Sequence, residues 1–371
     1  MIVVDKRVLI AGNPFPSPRL PLYLRDLLQT GMIRSATLFV GSLLFAVATS
    51  GQRNVEIGLA QGVTTYFGDL GNEEGAIQWG SIRPGMAVTF RDFLTNRKRY
   101  ITRAVTMEGR FSWHRIGYNE ADPVGGLSGM DLRNYRRGLN FRTDLYGLSV
   151  HAVLNAYREP YQPLFKQKFF AYFYIGLGVF YGRPKADLFR GEVDPANRYY
   201  FWEDGTVRNA PRGTPESDAA VIEQDGKPET DLFSWITEGS TAAGEGTVID
   251  RLSPWHIGIP MGMGVRYMVT RKLSIGMEFS YYSFFTDQLD GVSDRYASYT
   301  ELEDVYSGDV RAEELARYIS DPTGWGTTGE IDDPRTSVRG NPALPDGFSY
   351  LNLEVSYKFK RGPGRSSFIT F

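Results

Sequence analysis

Leu351-Asn352-Leu353-Glu354-Val355-Ser356-Tyr357-Lys358-Phe359 sets an apolar residue at every odd position and a polar one at every even position. A period of two is the pattern of a strand with one apolar and one polar face. The pattern recurs upstream. Ile257, Ile259, Met261, Met263, Val265, Tyr267 and Val269 oppose Gly258, Gly262, Gly264 and Arg266. Leu273, Ile275, Met277, Phe279 and Tyr281 alternate with Ser274, Gly276, Glu278 and Ser280. Val55, Ile57, Leu59 and Val63 alternate with Glu56, Gly58, Ala60 and Gly62. Further strands fit 79–91, 100–114, 139–157 and 168–183, the last aromatic on both faces, which brings the set to eight.

The polar faces do not look like solvent-facing surface. They carry glycines and mixed charges: Glu56, Arg83, Arg91, Glu108, Arg110, Arg142, Asp144, Arg266, Glu278 and Glu354. A soluble sandwich would favour Lys, Thr and Ser there. An eight-stranded barrel has a lumen just filled by side chains, where small residues and opposite charges fit because each ion can find a partner. Connection lengths agree. Asn96–Arg99 and Arg271-Lys272 are tight turns and 158–167 is short, whereas 115–138, 184–254 and 287–346 are longer, the last two much longer. An even-stranded barrel with both termini in the periplasm has short turns on one side and long loops on the other. The expected fold is all-β: an eight-stranded antiparallel up-and-down transmembrane β-barrel over residues 52–371, with long external loops.

Composition narrows the function classes. The 371 residues include no cysteine, which excludes a disulfide framework, a thiolate metal site and a cysteine nucleophile. With 41 Lys+Arg against 43 Asp+Glu, the chain lacks the basic excess of a nucleic-acid binder. Aromatics at 14% and 41 glycines suit an aromatic-rich β protein rather than a helical one.

Ahead of the strands, Arg34 precedes the uncharged stretch Ala36–Ala48, which ends in the small-x-small site Ala46-Val47-Ala48. That stretch is too short to span a bilayer. A buried core helix would be equally apolar, but the lone cation, the small-residue exit and the polar sequel favour a signal peptide at 32–51. Residues 1–31, punctuated by Pro14, Pro16, Pro18 and Pro21, read as an unstructured extension of the gene model ahead of Met32. The expected destination is the cell outer membrane, reached by signal-peptide export.

Charge is divided between the two ends. Residues 184–254 hold 14 acidic and 7 basic side chains, and 287–346 hold 14 and 5. Basic residues gather on the expected periplasmic turns: Arg97, Lys98, Arg99, Arg271 and Lys272. The bland account is solubilised loops and rim anchors; the sharper one is a basic periplasmic collar for an acidic partner. Within the long loops, Asp309–Ile319 reads as a helix capped by Asp309 or Ser307, with Leu315, Tyr318 and Ile319 on one face. Tyr199, Tyr200, Phe201, Trp202, Phe233, Trp235 and Trp325 could pack these loops into a cap or form a surface for an external partner.

Candidate chemistry is sparse. His114, His151 and His256 are the only histidines. Ser149 and His151 share a strand face but lie about 6.5–7 Å apart at Cα, a poor start for a nucleophile and its base. Asp287, Asp290 and Asp294 lack the spacing of a calcium loop. The glycines of Gly258–Gly264 precede no helix and so do not indicate nucleotide binding. No catalytic, cofactor or metal residue is assigned, and no enzymatic activity is expected.

Three blocks resemble a known family. Val55–Leu59 leading to Tyr66-Phe67-Gly68-Asp69-Leu70 is similar to the first strand and loop of PorG-like outer-membrane barrels, which accompany the type IX secretion system of Bacteroidota. Ile259–Tyr267 and Met277-Glu278-Phe279 continuing to Thr286-Asp287-Gln288-Leu289-Asp290-Gly291-Val292-Ser293 agree with it in order. The blocks cover about a tenth of the mature chain, and the loops 184–254 and 287–346 are longer than the family needs. The resemblance implies an eight-stranded barrel embedded in outer-membrane lipid that anchors a periplasmic ring of lipoprotein and partner subunits. The matching residues Gly68, Asp69, Leu70, Asp287, Leu289, Asp290, Val292 and Ser293 read first as structural: glycines for turns, aspartates for local backbone hydrogen bonds. A stand-alone barrel whose external loops bind a surface ligand is the alternative.

Overall fold

The computed structural model describes residues 54–71, 79–93, 104–121, 129–156, 168–239, 253–326, 338–343 and 345–360. The segments read as a gene-model extension and as a signal peptide lie outside the described residues, as do Arg97, Lys98 and Arg99.

Eight long strands form the body: β1 (Asn54–Phe67), β2 (Arg83–Phe93), β3 (Val105–Asn119), β4 (Asn140–Asn155), β5 (Phe169–Tyr181), β6 (Trp255–Met268), β7 (Leu273–Phe284) and β8 (Gly347–Lys360). Each pairs antiparallel with its neighbours in sequence, and β1 pairs with β8 from Asn54↔Lys360 to Phe67↔Gly347. That last pairing closes the sheet, so no edge is left to aggregate or to expose backbone donors to lipid. The expected eight-stranded antiparallel barrel is the fold. Strand β3 runs further than the reading of 100–114, through to Asn119.

The alternation places the two faces as read. Leu59, Leu177, Met263 and Leu353 point outward and are 61, 63, 60 and 62% exposed, while Glu56, Arg91, Glu278 and Glu354 point inward and are at most 5% exposed. Large apolar residues exposed on every strand would be untenable in water; they fit a surface bathed in hydrocarbon. Among the described residues no helix is long and apolar enough to cross a membrane. The strands do the crossing.

Two of the charges read as luminal are not. Arg142 and Asp144 of β4 face outward, and their inward neighbours are Phe141, Thr143 and Leu145. The polarity of the two faces inverts at the long-loop end of the barrel. There the outer face has left the hydrocarbon, and the inner face packs a hydrophobic plug, so a reading that follows apolarity alone assigns the wrong side. Arg83 keeps its luminal parity but sits at the rim, where Nη1 donates to the carbonyls of Gly80 and Ile82 at 2.9 and 2.8 Å.

The long loops fold into a cap. Helix α1 (Gly129–Arg137) lies between β3 and β4, and α2 (Tyr299–Val305) and α3 (Val310–Ser320) lie between β7 and β8. Helix α3 matches the expected helix, with Asp309 as N-cap accepting from the Ala312 N–H at 3.0 Å. Its buried face of Leu315, Tyr318 and Ile319 packs on Ala186, Leu188, Phe189 and Leu232. A second cluster joins Tyr135 of α1 to Tyr199, Phe201, Val207 and Trp325, so three of the loop aromatics are indeed buried in a cap. Of the others, Trp202 donates to the Ala210 carbonyl at 3.0 Å beneath Arg208, and Trp235 packs beside Tyr306.

Tyr318 ties the cap together. Its hydroxyl is 2.8 Å from the Leu188 carbonyl and 3.1 Å from that of Tyr199, and it accepts the Tyr199 N–H at 3.1 Å. Tyr318→Phe leaves those buried backbone groups without their partner and should cost the cap about 1–3 kcal/mol. Limited trypsin digestion should then cut residues 184–239 faster while the barrel stays resistant. Equal cleavage rates would argue against this bridge.

Candidate functional site

Two layers of side chains close the bore. In the half nearer the termini, Arg91 of β2 clamps Glu354 of β8 with Nη1 and Nη2 at 2.5 and 2.6 Å. It also reaches Glu108 of β3 at 2.5 Å and Glu56 of β1 at 3.1 Å. Arg110 of β3 bonds Glu108 and Glu278 of β7, each at 2.8 Å. Arg266 of β6 lies over the Tyr172 ring at 4.3 Å and 3.7 Å from Glu354. Tyr172 and Tyr174 of β5 approach Glu278 at 2.8 and 3.2 Å, and His151 of β4 meets Glu108 at 3.1 Å. Every one of the eight walls therefore contributes to one ion-paired network. Pairing is what makes burial of so many ions tolerable, because an isolated charge in a dry lumen would be prohibitive.

Above the network sits an aromatic plug. Tyr282 and Phe348 stack with centroids 4.5 Å apart, and His114 packs edge-on against Tyr282 and Tyr350 at 5.0 and 4.6 Å. Ile116, Phe141, Leu145 and Phe180 complete it from the barrel side, and Leu70, Leu289 and Val292 fill it from the loops.

The histidines do not form a reactive site. His114 has no hydrogen-bond partner on either ring nitrogen among the described residues, and the same holds for Ser149 Oγ. His151 stacks on Tyr174 at 4.7 Å and gives its Nδ1 to Glu108, so the Ser149/His151 pair has no nucleophile–base bond. His256 lies against Phe284, 6.5 Å away.

At the mouth, the sequence-selected residues converge. Asp290 Oδ1 accepts the Val292 N–H at 2.9 Å, the local backbone bond expected of it, whereas Asp287 Oδ2 accepts from the Ser293 side-chain hydroxyl at 2.9 Å rather than from the backbone. Gly291 takes φ +76, a region glycine enters without strain. A side chain at Gly68 would collide with the Tyr66 hydroxyl and Asp346, with Cβ only 2.0 and 2.1 Å from them. Asp69 reaches across the chain, accepting the Asn341 N–H at 3.0 Å. Burial pushes Asp69 up to about 6, with repulsion from Glu238 adding to it, and pushes Asp287 and Asp290 up to about 8, with repulsion from Asp69 adding to it. Asp346 is also raised well above the usual carboxylate range by burial and by Asp290.

Sequence reasoning missed the residues that lock this mouth. The Tyr66 hydroxyl lies 2.5 Å from Asp290 and 3.2 Å from Asp346, whose other oxygen accepts the Leu289 N–H at 2.8 Å. Arg137 of α1 pairs with Glu120 and donates to the carbonyls of Asp69 and Arg339 at 2.8 and 2.9 Å. Arg339 pairs with Glu238 at 2.6 Å and donates to the Gly291 carbonyl at 2.8 Å. These partners are far apart in sequence, so no local spacing could have announced them. Helix α1 did leave a signal: Arg136 and Arg137 in its last turn, then Gly138 at φ +60. Helix α2 left another, the capping box of Ser298 and Glu301.

At the opposite end, Arg271 and Lys272 are exposed in the β6–β7 turn, where Thr270 Oγ1 accepts the backbone N–H groups of Lys272 and Leu273 at 3.1 and 2.9 Å. Among the described residues no group of histidines and carboxylates is placed to hold a metal.

No protein-family model matches the chain, and no curated protein does either. Solved structures similar to it include Ail of Yersinia pestis, at 11% identity over 84% of this chain and 100% of that one, with a TM-score of 0.29. A major outer membrane protein from Thermus thermophilus is similar at 12% identity over 82% and 99% of the two chains, with a TM-score of 0.32. OprG of Pseudomonas aeruginosa is similar at 10% identity over 84% and 97%, with a TM-score of 0.31. The fold itself rests on the strand pairing and the lipid-facing belt: this is an eight-stranded barrel of the outer-membrane kind.

Proposed function

We propose that the chain is a non-enzymatic outer-membrane barrel, exported by a signal peptide, that anchors a type IX secretion machine. The observation that carries the reading is the luminal network touching all eight walls. A bore cross-linked in this way is a rigid post rather than a passage, so its work lies on its outer surfaces. The resemblance of Gly68–Leu70 and Asp287–Ser293 to PorG-like barrels supplies the machine, with a periplasmic ring of lipoprotein and partner subunits as the load. The basic collar of Arg97, Lys98, Arg99, Arg271 and Lys272 would meet that ring. Detergent-solubilised membranes should yield ring subunits with the protein. Charge reversal of the collar to glutamate should reduce their recovery by about tenfold or more, since several cations are reversed together. Recovery of the barrel without any ring subunit would refute the anchor.

The folded cap favours a second reading, a stand-alone barrel presenting a surface domain. Replacing 184–254 with a short linker separates the two. An anchor keeps its periplasmic partner, whereas a surface receptor loses its binding.

A further inference from the structure

The outer wall carries an ordered band where the lipid-facing belt ends on the cap side. Across four adjacent strands, Trp113, Tyr146, Tyr181 and Trp255 are direct register neighbours: Trp113↔Tyr146, Tyr146↔Tyr181 and Trp255↔Tyr181. Their rings have amphipathic character, and rows of this kind sit at the level of lipid headgroups. The next outward-facing pairing toward the cap sets Arg115 opposite Asp144, and the one after it, four residues beyond Tyr146 and Tyr181, sets Arg142 opposite Lys185 just beyond β5. Arg183 lies between Tyr181 and Lys185 on the same exposed side.

Two of these cations are already neutralised. Arg115 Nε is 2.8 Å from Asp144, and Arg183 Nη2 is 2.9 Å from Asp231. Arg142 and Lys185 have no ion pair among the described residues; Arg142 makes only a long hydrogen bond, 3.4 Å, to the Gly226 carbonyl. Around them the cap is strongly acidic, with 28 Asp/Glu against 12 Lys/Arg in the two long loops taken together. Arg142 and Lys185 are therefore two cations without a direct ion pair among the described residues, two pairing steps above the aromatic row, on the side from which an anionic headgroup would reach this wall. Asp144 and Asp187 are the nearest acidic groups to Arg142.

We infer that the Arg142–Lys185 pair, above the Trp113–Tyr146–Tyr181–Trp255 row, is a binding site for the phosphate headgroup of a membrane lipid. The aromatic row takes the acyl–headgroup boundary. Arg142 presents a planar fork suited to phosphate oxygens, and Lys185 adds a second charge. Asp144 holds Arg115 beside the Trp113 ring, 5.4 Å from its centroid, and so keeps it from competing. The site depends on the barrel spanning a bilayer and not on the secretion reading.

The test uses the full-length protein in mild detergent, titrated with phosphatidic acid or phosphatidylcholine, with bound lipid read by native mass spectrometry. Phosphatidic acid should bind in preference. Arg142→Gln with Lys185→Gln should weaken it about 30-fold, the effect of two cations near a headgroup. Arg271→Gln with Lys272→Gln at the other end should leave it unchanged. Retained heat-modifiable migration on gels verifies that each variant is folded, and Lys185→Gln alone gives a smaller loss in the same direction. Equal binding of the two lipids, or equal loss in both double variants, overturns the site. Full displacement by inorganic phosphate at matched concentration also overturns it, since the acyl chain would then contribute nothing.

Discussion

Arg91→Ala is expected to be the most destabilising single substitution in the barrel wall, at about 3–5 kcal/mol. Arg91 is 1% exposed and supplies the direct ion pairs of Glu354, Glu108 and Glu56. Its removal leaves Glu108 with Arg110, but among the described residues the cation within 4 Å of Glu56 and Glu354 is then Arg266, 3.9 and 3.7 Å away, with the Thr89 hydroxyl still donating to Glu354 at 2.9 Å. Stranded carboxylates in a lumen without bulk water carry the full cost of desolvation, which is why breaking such a pair costs more than making it contributes. The double variant Arg91→Ala/Glu354→Ala should lose less than the sum of the two single variants, because it removes a stranded charge together with its partner. Urea titration of the protein folded in phosphatidylcholine vesicles, read by gel migration, gives both numbers. A loss below about 1 kcal/mol for Arg91→Ala would mean the network is solvated and contributes little, as an exposed ion pair does.

That network was largely legible in the sequence, and the physical reason is the pleat. Successive residues of a strand face opposite sides, so hydrocarbon outside and a filled lumen inside stamp a period of two on every crossing. Glu56, Arg91, Glu108, Arg110, Arg266, Glu278 and Glu354 all stood out as charges on faces opposed to leucines and valines, and all lie inside. The same logic failed for Arg142 and Asp144, because the contrast between faces reverses once the outer wall leaves the hydrocarbon. The mouth was half legible. Asp287, Asp290 and Gly291 form a local turn that sequence can show. Tyr66, Arg137, Glu238, Arg339 and Asp346 meet there only because the barrel closes, and closure is a property of the whole chain.

The mouth should also make cap docking depend on pH. Asp290 and Asp346 both lie against one phenol, at 2.5 and 3.2 Å from the Tyr66 hydroxyl. One phenolic proton cannot serve two carboxylates. A second proton resolves the arrangement: a protonated Asp346 donates to the Tyr66 oxygen while Tyr66 donates to Asp290. Burial and the neighbouring Asp69 push Asp290 up to about 8, and burial and Asp290 raise Asp346, against an unfolded value of about 3.9. The folded mouth therefore holds protons that the opened mouth releases. Stability from them is complete below about pH 4 and is lost as pH rises toward about 8, at about 1.4 kcal/mol per pH unit for each proton held. The backbone N–H groups of Leu289 and Val292, which donate to Asp346 and Asp290, report the opening directly. Their hydrogen-exchange protection factors should fall between about pH 5 and about pH 8, and the slope should be smaller by about one proton's share in Asp346→Asn, which cannot ionise, with the remainder due to Asp290 and Asp287. Protection that stays constant over that range in the native protein, or a slope undiminished in Asp346→Asn, would remove the shared proton from the account and leave apolar packing of Leu289 and Val292 as what holds the cap down.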